Sequence, residues 1–117
     1  MFGNSCAVLP SISYQNATEI TLIGDWNDID AAMQAGMAES ETAVLARSES
    51  NGVVVFEFLS IHDERGKLIA TRLEKGTEGV EITVHAEAPD SRAKTPQRLV
   101  HAFARRLSEL RGVEAAP

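Results

Sequence analysis

Apolar and polar residues alternate along the chain with two different periods, and the change of period marks the predicted elements. Thr18 to Ile23 alternates loosely and ends at Gly24, which is typical of a strand. From Ile29 to Met37 the apolar positions have the spacing of one helical face, so we predict a helix that fades before Glu41. Three polar residues are candidates to cap the start of this helix: Asp25, Asn27 and Asp28.

Beyond this helix the pattern changes to runs of β-branched, aliphatic and aromatic residues separated by turns that contain glycine. Such runs predict four strands joined as an antiparallel meander. The predicted strands are Thr42–Ser48, Val53–His62, Lys67–Lys75 and Val80–Glu87. The predicted turns are Asn51-Gly52, Asp63–Gly66 and Gly76–Gly79.

The register of the meander follows if the two longer turns close with His62 opposite Lys67 and Lys75 opposite Val80. One face then carries mostly apolar rows: Phe56 with Leu73 and Ile82, Phe58 with Thr71 and Val84, Ser60 with Ile69 and Ala86. The other face carries mixed rows: Glu57 with Arg72 and Thr83, Val55 with Glu74 and Glu81, Leu59 with Ala70 and His85. The first hairpin, which turns at Asn51-Gly52, places Arg47 beside Phe56.

The last predicted element is an amphipathic helix from Pro96 to Arg111, with Thr95 as its cap and Gly112 as its stop. Its apolar stripe is expected to lie on the apolar face of the sheet, and it consists of Leu99, Val100, Phe103, Leu107 and Leu110. The predicted fold is therefore α+β, an antiparallel sheet of four to five strands with one face covered by the C-terminal helix, in the order β-α-β-β-β-β-α. We expect a mobile arm over residues 1–16, one domain over 17–112 and a frayed tail over 113–117.

Composition places the chain among ordinary globular proteins. Its 117 residues are 44% apolar and 24% charged, which suits a single domain and is unlike a disordered chain. Cys6 is the only cysteine, so no internal disulfide can form, which fits a reducing compartment. The start of the chain has no pattern of a secretory signal, and no segment approaches the roughly 20 apolar residues of a membrane span. We therefore expect a cytoplasmic protein with no membrane partner.

Charge is strongly segregated along the chain. Residues 1–46 carry six acids and no bases, 47–91 carry nine acids and five bases, and 92–117 carry two acids and six bases. These counts give −6, −4 and +4, which sum to the net charge of −6. Charge divided in this way favours association with a second copy or with an acidic protein. The candidate partner-binding residues are Arg98, Arg105, Arg106 and Arg111 on the last helix.

The mixed sheet face offers candidate ligand-binding residues. The predicted register brings together an acid, a guanidinium, a hydroxyl and an imidazole, which suits a small anion or acid–base chemistry. These residues are Glu57, Arg72, Thr83 and His85. Trp26 is a further candidate, because a tryptophan stacks on sugars and bases or anchors a partner. The alternatives are a solvated sheet face and a tryptophan that closes the end of the core.

Sequence signals for an enzyme are missing. His62, His85 and His101 have no metal-ligand spacing, and the chain contains no phosphate-binding glycine loop, nucleophile elbow or dinucleotide fingerprint, so no metal or cofactor is predicted. Our leading hypothesis is a non-enzymatic binding and assembly module that forms a homodimer. A second hypothesis is an RNA- or ribosome-associated protein that uses the basic last helix, although the acidic total argues against DNA. A third is a ligand-binding or catalytic pocket on the mixed sheet face.

Overall fold

The computed structural model describes residues 17–75, 80–92 and 94–115. It contains an antiparallel sheet of five strands and two helices, in the predicted order. The strands are β1 (Ala17–Gly24), β2 (Thr42–Ser50), β3 (Val53–Ser60), β4 (Arg65–Lys75) and β5 (Val80–Glu87). The helices are α1 (Ile29–Glu39) and α2 (Thr95–Ala115). The predicted arm over 1–16, the turn Gly76–Gly79 and residues 116–117 of the predicted tail lie outside the described residues.

The strand order β1-β5-β4-β3-β2 confirms the predicted meander and adds β1 beside β5. The chain therefore crosses from one edge of the sheet to the other between β1 and β2, and α1 lies on this crossing. Asp25 caps the short 3-10 turn before α1, because its carboxylate accepts a hydrogen bond of 2.9 Å from the backbone N–H of Asn27. Asp25 was one of the three capping candidates at this junction.

The first hairpin has the predicted turn and register. Asn51 and Gly52 have φ angles of 49° and 78°, the positive values that a tight two-residue hairpin requires. Arg47 pairs with Phe56 as expected, and a bulge between Val44 and Ala46 shifts the pairing further along β2.

The core lies between one face of the sheet and both helices. On α2 the predicted apolar stripe is buried, with Leu110 at its partly buried end. The sheet contributes Val54, Phe56, Phe58, Leu68, Ala70, Ile82, Val84 and Ala86, and α1 contributes Ile29, Ala32, Met33 and Met37. Gly36 allows the two helices to approach closely, because a Cβ atom there would lie only 3.1 Å from the backbone nitrogen of Phe103.

The predicted register between β3 and β4 is wrong. Phe56 pairs with Leu68, and Leu59 pairs with Arg65, so the turn begins earlier than the sequence suggested. Asp63 sits in this turn with a φ angle of 62°, a left-handed conformation that aspartate tolerates. The offset from the prediction is an odd number of residues, and an odd shift exchanges the two faces of a strand.

Pairing between β4 and β5 agrees with the prediction next to the turn and departs from it along the rest of the strands. Lys75 does lie opposite Val80, but the register then shifts at an irregularity between Arg72 and Lys75. Arg72 consequently pairs with Ile82. Both corrections have the same effect on β4: Leu68 and Ala70 enter the core in place of the predicted Leu73, Thr71 and Ile69.

The two ends of α2 also differ from the prediction. Thr95 is the first helical residue, and the carbonyl of Lys94 accepts the first helical hydrogen bond, from the N–H of Arg98 at 3.0 Å. The helix passes through Gly112 to Ala115, so the predicted stop is wrong. A glycine inside a helix costs only about 1 kcal/mol, and the residues that follow it are compatible with a helix.

A buried carboxylate fixes the start of α2 to the turn between β3 and β4. Glu64 is only 4% exposed, and its carboxylate accepts hydrogen bonds from the Ser91 hydroxyl at 3.1 Å and the Arg92 backbone N–H at 2.6 Å. The Thr95 hydroxyl donates a further bond to the same carboxylate. A negative charge at the amino end of a helix is also stabilised by the helix dipole. Glu64 therefore positions α2 over the sheet.

Candidate functional site

One face of the sheet is open in the described residues, because both helices pack on the other. Every outward-facing residue of β3, β4 and β5 whose burial is described retains some exposure to solvent. The buried sheet residues of the core belong to the opposite face, where they contact the helices. The open face is therefore a sheet surface that neither helix covers in the part of the chain that the structure describes.

The middle row of the open face is centred on His85. Its Nδ1 atom lies 3.3 Å from a carboxylate oxygen of Glu19 on β1, and its Nε2 atom lies 2.9 Å from a carboxylate oxygen of Glu87. Only 22% of the His85 side chain is exposed. Donation to both carboxylates requires a proton on each ring nitrogen, whereas the neutral ring donates to one of them. The row continues through Ile69 and Val55, which are half-buried.

A second row alternates in charge. Lys67 on β4 pairs with Glu57 on one side and with Glu87 on the other. The row therefore reads negative, positive, negative across three neighbouring strands. Opposite charges on directly paired residues stabilise a sheet modestly.

A third row is made of threonines. Thr21, Thr83 and Thr71 lie side by side on β1, β5 and β4, and the hydroxyl oxygens of Thr21 and Thr83 are 3.2 Å apart. Two large apolar side chains are exposed at the same end of the face: Ile23 at 39% and Leu73 at 44%. The open face thus combines apolar, hydroxyl and charged strips.

The structure brings together only part of the predicted ligand-binding group. Thr83 and His85 share the open face on β5, and Glu57 lies on the same face two strands away, with Lys67 between them. Arg72 belongs to the opposite face, because it pairs with the core residue Ile82. The corrected register therefore separates Arg72 from the other three residues. Lys67 and Glu87 lie in the row of Glu57, at the positions where the predicted register placed Arg72 and Thr83.

Trp26 is partly buried and packs against the edge of the core. The guanidinium carbon of Arg72 lies 5.7 Å from the centre of its ring, within the range of a cation–π contact. This arrangement fits the packing interpretation of Trp26, and it gives Arg72 a partner away from the open face.

The basic residues of α2 are largely paired with acids. Arg105 donates a hydrogen bond to Glu39 at the end of α1, and this bond raises the pKa of the Arg105 guanidinium. Arg98 lies 3.7 Å from Glu41, and Arg106 lies 3.3 Å from Glu109. Glu39 and Glu41, both from the acidic first part of the chain, therefore pair with two arginines of the basic last part within one molecule. The side chain of Arg111 lies outside the described residues.

A similar pairing occurs on β2. Arg47 makes a two-pronged contact with Asp30 of α1, at 2.8 and 2.9 Å, and lies 2.8 Å from Glu49. These two carboxylates raise the pKa of Arg47. The Arg47 guanidinium also lies 5.9 Å from the centre of the Phe56 ring, within the range of a cation–π contact. This contact explains how the charged Arg47 is accommodated beside Phe56.

Comparison with known proteins identifies no family for this chain. No protein family model and no curated protein matches the sequence. Among solved structures, TTHA0849 from Thermus thermophilus is 10% identical with a TM-score of 0.46, and the match covers 86% of this chain and 99% of that one. Protein CV1439 from Chromobacterium violaceum is 12% identical with a TM-score of 0.39, and the match covers 82% and 96%. At these values neither similarity supports a functional argument.

Two kinds of feature are absent from the described residues. No helix there combines the length and apolar character needed to cross a bilayer. Within the same residues, no group of three or more His, Cys, Asp or Glu side chains is arranged to hold a metal ion.

Proposed function

We propose that the protein is a small binding and assembly module that forms a homodimer through its open sheet face. The observation that carries this proposal is the composition of that face. Leu73 and Ile23 are exposed apolar residues on it, and the half-buried Val55 and Ile69 lie at its centre. A second copy that covers these side chains would remove them from water, which favours association.

The size of the face supports a second copy as its occupant. Five strands at a spacing of about 4.8 Å, each near eight residues long at roughly 3.3 Å per residue, give a face of roughly 600 Å². Two such faces in contact bury about 1,200 Å², the lower limit for stable and specific interfaces. Sheets that pack face to face are a common arrangement, and their inward side chains interdigitate.

Charge on the open face is self-complementary. A twofold axis brings the same patch of both copies together, so each residue of the patch contacts residues of that same patch in the other copy. The charged row consists of Glu57, Lys67 and Glu87. If one sheet is offset sideways from the other by the spacing of one strand, each lysine lies beside a glutamate of the other copy. Contacts of this kind fix the register of an interface more than they add affinity. A cytoplasmic location belongs to the same proposal.

Light scattering after size-exclusion chromatography tests the proposal directly. We expect the mass of a dimer, and we expect the Leu73→Lys and Ile69→Lys variants to elute as monomers because each places a cation in the apolar centre or rim of the interface. Ala31→Lys is the matched control, since Ala31 is exposed on α1 and away from the open face. It should remain a dimer.

Two results would overturn the proposal. One is a monomer at every protein concentration up to roughly 1 mM, since a dissociation constant above that value corresponds to less than about 4 kcal/mol of association. The other is a dimer that survives both lysine variants while their unfolding midpoints stay close to that of the unsubstituted protein, which would place the interface elsewhere.

A further inference from the structure

A groove lies on the helical side of the molecule, between the end of α1 and the outer side of α2. Its volume is about 510 Å³, within the range of small-molecule sites. Three of its lining residues belong to one face of α2, at positions spaced by three and four: Arg98, His101 and Arg105. This spacing directs their side chains to the same side of the helix. Lys94 precedes α2, with a φ angle of 55°, and lines the groove from the loop before the helix. The groove is therefore lined by nitrogen donors.

The acids near the groove balance only part of this charge. Glu39 lines the groove and is bonded to Arg105, while Glu41 lies 3.7 Å from Arg98. Within the described residues Lys94 and His101 have no ion-pair partner. Arg105 also lies 3.9 Å from Glu109, which Arg106 shares at 3.3 Å. Four cations in and beside the groove therefore face three carboxylates, and Lys94 is the cation of the groove without an acid beside it, although the chain as a whole carries a charge of −6.

Gln97 adds a polar atom that has no partner. It lines the same groove, and its Oε1 atom is buried without a hydrogen bond. A half-turn of the terminal amide exchanges the oxygen and the nitrogen, and so presents an N–H donor at this position. Buried polar atoms without partners are uncommon in proteins and call for an explanation. A rotation of the Gln97 side chain toward the groove would expose this amide, and a ligand oxygen would then supply the missing partner.

We propose that this groove binds a small polyanion, a molecule that carries two or more anionic oxygens as phosphate or carboxylate groups. Lys94 would contact one anionic group as a point charge, and Arg98 and His101 would donate hydrogen bonds from the next turns of α2. The amide of Gln97 completes the set. Arg105 is hydrogen-bonded to Glu39, which also lines the groove. Its role is therefore to hold in place the side of the groove that these two residues form.

This site is independent of the proposed dimer interface. The groove lies among α1 and α2, whereas the interface is the sheet face on the other side of the core. Binding of the anion and formation of the dimer can therefore be measured in the same protein, and the failure of one proposal leaves the other intact.

Titration calorimetry with pyrophosphate and with citrate tests the site and separates the two chemistries. We expect saturable binding of at least one probe by the unsubstituted protein at an ionic strength near 0.15 M, where charges more than roughly 8 Å apart are largely screened. A double variant, Lys94→Gln with His101→Gln, should weaken that binding by about tenfold or more, the usual effect of losing charge-assisted hydrogen bonds. In nuclear magnetic resonance spectra the bound probe should shift the side-chain amide signals of Gln97.

Arg106→Gln provides the matched control. It removes one positive charge from the same helix, and Arg106 does not line the groove. We expect it to change the affinity for the probe by less than about twofold, because exposed charges at a distance are screened by salt. Equal losses in both variants, unshifted Gln97 amide signals on saturation, or no binding of either probe would each overturn the proposal.

Discussion

Phe58 on β3 lies directly opposite Gly66 on β4, and its ring occupies the space that a side chain at position 66 would need. A Cβ atom there would lie 2.6 Å from the ring carbon Cζ, and it would also clash with the backbone carbonyl of Glu87. The contact therefore joins three neighbouring strands at one point of the core, close to the turn that holds Glu64.

Gly66→Ala should consequently be strongly destabilising. The added methyl group meets backbone on β5, which cannot move aside without breaking sheet pairing, so we expect a loss of about 3 kcal/mol in the free energy of unfolding. Urea denaturation followed by circular dichroism measures this loss. Ser48→Ala on the exposed strand β2 is the control and should stay within about 0.5 kcal/mol. A Gly66→Ala protein as stable as the control would contradict this packing.

The elements of this fold could be predicted from the sequence because each has a local signal. Asn51-Gly52 sets a two-residue hairpin, and the stripe from Leu99 to Leu110 marks the buried side of α2. The register of β4 has no such signal. This strand carries apolar residues in both alternations, Leu68 with Ala70 and Ile69 with Leu73, so alternation alone cannot choose the inner face.

Glu64→Gln is the second stability prediction. The amide keeps the size of the carboxylate, but it loses the charge, so the bonds from Ser91, Arg92 and Thr95 no longer have an ionised acceptor and the favourable interaction with the helix dipole is lost. We expect a loss of roughly 2 to 3 kcal/mol, measured by urea denaturation, because hydrogen bonds to a charged group are about twice as strong as neutral ones. Glu57→Gln makes the same change at an exposed position and should have little effect. Comparable stabilities for the two variants would remove the role assigned to Glu64.

Much of the candidate site depends on long-range geometry that the sequence does not encode locally. Thr83 and His85 were correctly placed together because they share one strand, and alternate residues of a strand share a face. Arg72 was misplaced by an irregularity in β4. The groove on α2 combines a helical spacing that was visible in the sequence with Glu39, whose position depends on how the two helices pack.

The ion pair between Arg105 and Glu39 gives a third prediction, on charge reversal. Arg105→Glu places two carboxylates in contact and should lower the thermal midpoint at low salt, and the deficit should shrink as salt is added. The double variant Arg105→Glu with Glu39→Arg restores opposite charges and should regain most of the midpoint. Scanning calorimetry at two salt concentrations provides the measurement. A midpoint deficit that is independent of salt and is not relieved by the double variant would show that packing, rather than charge, joins the helices here.

The charge row of the open face gives the last prediction. Lys67→Glu makes the row of Glu57 and Glu87 wholly acidic, so each copy repels the other and the dimer should dissociate more readily, by about tenfold or more at low salt. The substitution also places like charges on neighbouring strands of one copy, which weakens the monomer. Lys67→Gln removes the positive charge without adding a negative one. Comparing it with Lys67→Glu separates the loss of the lysine from the repulsion that the added glutamate causes.

A mixing experiment then distinguishes an interface from a general loss of stability. The double variant Glu57→Lys with Glu87→Lys makes the same row wholly basic, so two copies of it also repel each other. A mixture of the Lys67→Glu protein and this double variant should form a heterodimer, since a wholly acidic row then meets a wholly basic one. Analytical ultracentrifugation of the separate and mixed samples measures the outcome. If each protein alone is monomeric and folded while the mixture is dimeric, the two open faces must be in contact, because damage to either monomer cannot be repaired by adding the other. A mixture that stays monomeric would remove this row from the interface.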